Sequence, residues 1–195
     1  TAAQAETVTI TGDQNLTLTL GANSPAASTI DSSAFTKALT LNFTTATAAT
    51  TAGVTIKAGA GADTINLTEV NAGSKVTVDL GAGADTLNIG ATAFHKITLG
   101  DGADTVNLNT TTNAKAIDVS TAAKLAASVI EITDFKSGTD VLNITSGGAG
   151  TEINLTGTQL ATVAASSSLL TAAQAAAALL PVGVDGDTVA FQYGS

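Results

Sequence analysis

The chain has 195 residues, seven basic against sixteen acidic for a net charge of −9, and no Cys, Met or Trp. Without Cys there is no disulfide, thiolate metal site or cysteine nucleophile, and with a single His neither a His-based metal site nor a Ser-His-Asp triad is expected. All seven basic residues are Lys and aromatics make up 3%, so the chain can neither neutralise phosphates nor stack bases, and no nucleic-acid partner is expected.

Hydrophobic residues make up 44% and charged residues 12%, too apolar for a solvated coil. Large core side chains are few, and a chain of Ala, Thr, Gly, Val, Ile and Leu packs best as extended, repetitive β-structure. No uninterrupted apolar run reaches the roughly 18–20 residues of a membrane span, and no charged segment followed by an apolar stretch opens the chain, so no cleavable leader is expected. The chain opens on Thr1 rather than Met, which reads as a piece of something larger.

In chain order, short alternating segments at 8–10, 16–20, 28–30, 38–43 and 54–56 are predicted strands with Gly, Asn, Ser and Thr turns between them. The Ala/Thr-rich stretch 44–53 is a predicted loop. Three segments then align without gaps: IKAGAGADTINL at 56–67, VDLGAGADTLNI at 78–89 and ITLGDGADTVNL at 97–108. Their Asp residues, Asp63, Asp85 and Asp104, stand 22 and 19 residues apart. A weaker fourth copy, FKSGTDVLNI at 135–144, places Asp140 in the same position.

Each copy reads as strand, tight turn, strand. Ile65 and Leu67 alternate with Thr64 and Asn66, the period of a half-buried strand, and glycines before the Asp permit a sharp reversal. Second strands follow at 75–80, 96–99 and 116–119. Stacked copies predict an all-β, right-handed parallel β-roll or β-helix solenoid over 1–119, with turns at 58–63, 80–85 and 99–104. Ile65, Leu87 and Val106 form one inner ladder; Leu67, Ile89 and Leu108 form another. Asn66, Asn88 and Asn107 form an outer ladder beside Thr64, Thr86 and Thr105. A closing segment over 120–195 follows, with one or two helical turns at 120–128 capped by Ser120, a strand at 130–135, a short Ala-rich helix at 171–180 between Thr171 and Pro181, and a terminal strand at 184–193.

The turns carry the candidate chemistry. Rungs of a β-coil stack about 4.8 Å apart, so Asp63, Asp85 and Asp104 form a column of like charges that shifts pKa values or opens the stack. A divalent cation between rungs resolves the repulsion. Calcium takes six to eight oxygen ligands, magnesium demands a stricter octahedron, and zinc lacks its usual ligands here. The expected calcium-binding residues are Gly59, Ala60, Gly61 and Asp63; Gly81, Ala82, Gly83 and Asp85; Gly100, Asp101, Gly102 and Asp104; and Asp134, Gly138 and Asp140. Asp134 reads equally as a solvent-facing strand residue, Asp140 equally as a plain turn residue, and Asp101 as a solvated turn carboxylate. Any single Gly-x-Gly-x-Asp is also compatible with a β-turn whose Asp caps its own backbone. No Lys-Ser/Thr or helix follows these glycines, so a nucleotide loop is not expected. The one His, His95, reads as an ordinary turn residue, and with no nucleophile–base–acid set the chain is expected to be non-enzymatic.

The three turns resemble the RTX nonapeptide Gly-Gly-x-Gly-x-Asp-x-aliphatic-x of calcium-loaded parallel β-rolls. They depart from it where the first Gly is Ala58, Leu80 and Leu99, in repeat length, and in carrying the motif on one edge only. The segment ITDF at 132–135 with GTDVLNI at 138–144 is similar to the closing part of RTX regions in type I-secreted proteins. The Ala/Thr-rich, Cys-free composition, with IDSSAF at 30–35, resembles bacterial surface-layer (S-layer) proteins. The resemblance implies a secreted, cell-surface structural module that folds on calcium outside the cell, with partners that are calcium ions, further copies of itself in arrays, or cell-surface polysaccharide. Two alternatives stand beside it: an RTX adhesin module, ice- or surface-binding through its Thr and Asn ladders, and the calcium-folding secretion tail of an exported hydrolase.

Overall fold

The computed structural model describes residues 6–20, 27–43, 54–67, 75–90, 94–109 and 130–145. They form strands β1 (Glu6–Thr9), β2 (Leu16–Leu20), β3 (Ala27–Asp31), β4 (Leu39–Phe43), β5 (Val54–Lys57), β6 (Thr64–Leu67), β7 (Lys75–Asp79), β8 (Thr86–Gly90), β9 (Phe94–Thr98), β10 (Thr105–Asn109), β11 (Glu131–Ile132) and β12 (Val141–Thr145). The odd strands lie in chain order in one six-stranded sheet and the even strands in a second. Every neighbouring pair is parallel. Parallel neighbours cannot be joined by a tight hairpin and need a crossover; here the crossover contains the next strand of the other sheet. One odd strand and the even strand after it make one rung, and the described residues form an all-β parallel solenoid. No described residue is helical. The loop at 44–53, the strand at 116–119, the helices at 120–128 and 171–180 and the terminal strand at 184–193 lie outside the described residues.

Period-two alternation sets the faces. Ile30, Ile56, Val78, Ile97 and Ile132 are register partners along the first sheet. Leu18, Leu41, Ile65, Leu87, Val106 and Leu142 run along the second. Most are fully buried, and each Val, Ile or Leu so buried contributes about 1.5–3 kcal/mol. Both expected aliphatic ladders are present in the expected register. On the outer face of the second sheet Asn42, Asn66, Asn88, Asn107 and Asn143 form one amide ladder. Each Nδ2 donates to the preceding Oδ1 at 2.6, 2.6, 2.7 and 2.8 Å. The ladder is two members longer than the repeats indicated.

β11 and β12 form the last described rung. β11 covers only two residues, shorter than the strand expected at 130–135, because Thr133 onward enters a longer corner.

Candidate cation site

All described corners lie between an odd strand and the even strand after it. In this corner the three motif turns stack directly. Ala82 N–H donates to the Gly59 carbonyl and Asp101 N–H to the Gly81 carbonyl, both at 2.9 Å. Gly81 and Gly100 have φ of +86° and +90°, and a Cβ on Gly81 would collide with the Gly59 carbonyl. The glycines therefore serve both reversal and close approach between rungs.

The three residues that depart from the nonapeptide glycine have a structural role of their own. Register places Ser32, Ala58, Leu80 and Leu99 in one corner column, and all four are buried. Phe35, 1% exposed, belongs to the same core where the column narrows to Ser32 and Ala58.

The aspartates also point inward. Asp63, Asp85 and Asp104 are each 1% exposed and Asp140 is 8%. Because Thr64 pairs with Thr40, Asp63 occupies the position that buried Leu39 holds one rung earlier. The carboxylates form a staircase along the backbone. Asp63 Oδ1 accepts from Leu39 N–H at 2.8 Å, Asp85 Oδ1 from Asp63 N–H at 2.7 Å, Asp104 Oδ1 from Asp85 N–H at 2.9 Å and Asp140 Oδ1 from Asp104 N–H at 3.2 Å. The Asp140 N–H turns back to the Lys136 carbonyl at 2.9 Å, which ends the series.

The second oxygens divide the column. Asp63 Oδ2 accepts from Gly59 N–H at 3.1 Å and Asp140 Oδ2 from Lys136 N–H at 2.7 Å. Asp134, expected as a ligand or a solvated residue, gives both oxygens to backbone: Leu99 N–H and Gly100 N–H, each at 2.8 Å. Only Asp85 Oδ2 and Asp104 Oδ2, on consecutive rungs, are buried carboxylate oxygens without a partner among the described residues. Burial pushes the Asp85 carboxyl up to about 7 against its Asp63 N–H bond, and the charges of Asp63 and Asp104 push the same way. Burial raises Asp63 despite bonds from Leu39 and Gly59. Burial also raises Asp104, with Asp140 and Asp134 adding and Lys136 opposing.

Among the described residues no three acidic or His side chains converge on one point, so an ion here would draw most of its ligands from backbone carbonyls. Asp101 is exposed and 3.7 Å from Lys136 Nζ; the same ammonium donates to the Gly100 carbonyl at 3.3 Å. Ala60 N–H bonds the Phe35 carbonyl at 2.8 Å. Gly138 has φ +86° with open space around it.

No protein-family model, curated protein or solved structure matches this chain. The site thus stands on its own geometry.

Repeat alignment missed three residues of consequence. Leu39 supplies the first donor of the staircase, Lys136 covers the last turn, and His95 is no turn residue. His95 lies on β9, fully buried, as the register partner of Val76. Neither ring nitrogen completes a hydrogen bond among the described residues. Burial lowers its pKa to about 4, opposed by the Gly90 backbone.

Proposed function

We propose that this chain is a structural module of a secreted bacterial surface layer, folded and stiffened by calcium at its stacked aspartate turns. The observation that carries the reading is the pair of buried oxygens on Asp85 and Asp104 that have no partner among the described residues, within a column of four buried carboxylates. Unpaired buried charge is costly unless something neutralises it. Asp85 and Asp104 fit a hard divalent cation, with glycine carbonyls of the two turns as further ligands. Asp63, Asp134 and Asp140 already give both oxygens to backbone donors, and so act in this reading as the frame. Bound calcium would supply charge neutralisation. The residues themselves hold the turns in register and exclude water. Ligand bound to the folded state alone stabilises it by RT ln(1 + [L]/Kd), about 2.7 kcal/mol at a hundredfold excess over Kd. A chain of net charge −9 that repels itself without the ion remains extended and exportable.

The proposed role is scaffolding rather than catalysis, with further copies or cell-surface polysaccharide as partners. No helix among the described residues is long and apolar enough to cross a membrane. The five-member Asn ladder favours a second reading, an adhesin that presents this regular uncharged face. Sedimentation of the full chain separates the two: sheets or large arrays on adding calcium support the surface layer, and a calcium-folded monomer supports the adhesin.

A further inference from the structure

Five Asn-x-Thr patterns, the acceptor motif of N-linked glycosylation, begin among the described residues, at Asn15, Asn42, Asn66, Asn109 and Asn143. The ladder explains most of them. A strand that alternates Asn and Thr on its outer face writes this motif as a by-product. Asn66 and Asn143 donate their Nδ2 within that ladder, Asn42 is held in it through its Oδ1, and Asn109 is not free either.

Asn15 is different. Register places Thr17 and Thr19 in the outer columns of β2, so Asn15 stands before the strand and outside the ladder. It is exposed, as are Asp13, Gln14 and Thr17. Its Oδ1 accepts one long bond from Ala38 N–H at 3.3 Å, and its Nδ2 donates to nothing among the described residues. Asp13, Gln14, Asn15 and Lys37 line an open polar cleft of about 370 Å³. β2 is also the terminal strand of its sheet, with Leu16 37% exposed, and proteins cover or blunt such edges to prevent strand addition.

We propose that Asn15 is a glycosylation site, and that its glycan shields β2, the terminal strand of its sheet among the described residues. The donor is a glycosyl diphosphate, carried on a nucleotide or a lipid. A bond forms between Asn15 Nδ2 and the sugar C1. The C1–O bond to the donor breaks, the diphosphate leaves with the electron pair, and the amide proton passes to a carboxylate of the transferase. Modification of Asn66 or Asn143 would instead crowd a sugar against the neighbouring ladder amide, whose oxygen lies 2.6 or 2.8 Å from the Nδ2. The proposal goes beyond the calcium reading and does not depend on it.

The test is peptide mass spectrometry on the full chain isolated from the cells that make it. Lys37 is the first basic residue of this sequence, so the tryptic peptide that ends at Lys37 carries Asn15 apart from every later acceptor pattern. The expected result is a glycan on that peptide, released by an N-glycan amidase that leaves Asp in place of Asn15. A single sugar identifies a nucleotide donor; an oligosaccharide identifies a lipid carrier. Thr17→Val should abolish the glycan without changing the circular dichroism spectrum. An unmodified Asn15, glycans on the Asn66 or Asn143 peptides instead, or a glycan that persists in Thr17→Val would overturn the proposal.

Discussion

Replacing Asp85 by Asn tests the electrostatics of the column with almost no change of shape. The amide oxygen of the new side chain keeps the bond from Asp63 N–H, and the buried charge disappears. The folded-state pKa of Asp85 is raised from 3.8 to about 7. The native state therefore holds its proton more tightly than the unfolded chain does. The contribution of this group is most favourable below pH 3.8 and is lost as pH rises toward 7. Three units at about 1.4 kcal/mol each bound the loss at about 4 kcal/mol. The new amide nitrogen lacks an acceptor where Oδ2 stood, which costs about 1–3 kcal/mol. Without calcium, Asp85→Asn should therefore stabilise the chain by about 1–3 kcal/mol at pH 8, and that gain should disappear at pH 4, where the parent carboxyl is also neutral and its own Oδ2–H is equally unpartnered. With no Trp and one Tyr, far-UV circular dichroism is the signal to follow, as the β-structure that chelator-treated parent and variant retain at each pH without urea. A variant less stable than the parent at pH 8 would refute the reasoning, because the charge at Asp85 would then carry no penalty.

His95→Leu should act in acid. The folded pKa of His95 is lowered from 6.5 to about 4, so parent stability falls as pH drops from 6.5 toward 4, by at most about 3 kcal/mol. With calcium saturating, the parent should lose urea resistance over that window while His95→Leu does not, and parallel curves would contradict a buried neutral imidazole. Gly81 and Gly138 share φ +86°, but only Gly81 faces a carbonyl. Gly138→Ala should cost the backbone strain alone, about 1–3 kcal/mol. Gly81→Ala should cost more, since the turns must separate; equal urea midpoints would show that the turns do not stack closely.

Much of the solenoid was legible because the repeats put like residues at like register. Ile65 above Leu87, or Asn66 above Asn88, follows from the spacing alone. The inward turn of the aspartates was encoded less visibly. Asp63 shares parity with Ile65 and Leu67, and His95 shares it with Ile97 and Leu99, so period two extended through the corner gives both their buried positions. A glycine-rich corner need not preserve strand parity, so the repeats alone left the direction of the aspartates open. Ala58, Leu80 and Leu99 similarly read as defects in a glycine motif, although they continue the inner positions of Ile56, Val78 and Ile97. The roles of Asp134 and Lys136 were not legible. Their corner is one residue longer between Ile132 and Asp140 than between Ile97 and Asp104. Backbone pairing slips there, and side chains meet the donors and acceptors of the turn before it.

The decisive measurement is a calcium titration of the full chain, starting in chelator at pH 8 and followed by far-UV circular dichroism. A cooperative gain of β-structure as calcium is added, weakened in Asp104→Asn, is the expected result. Identical spectra and urea midpoints with chelator and with millimolar calcium would contradict a column of buried carboxylates that needs an ion to close.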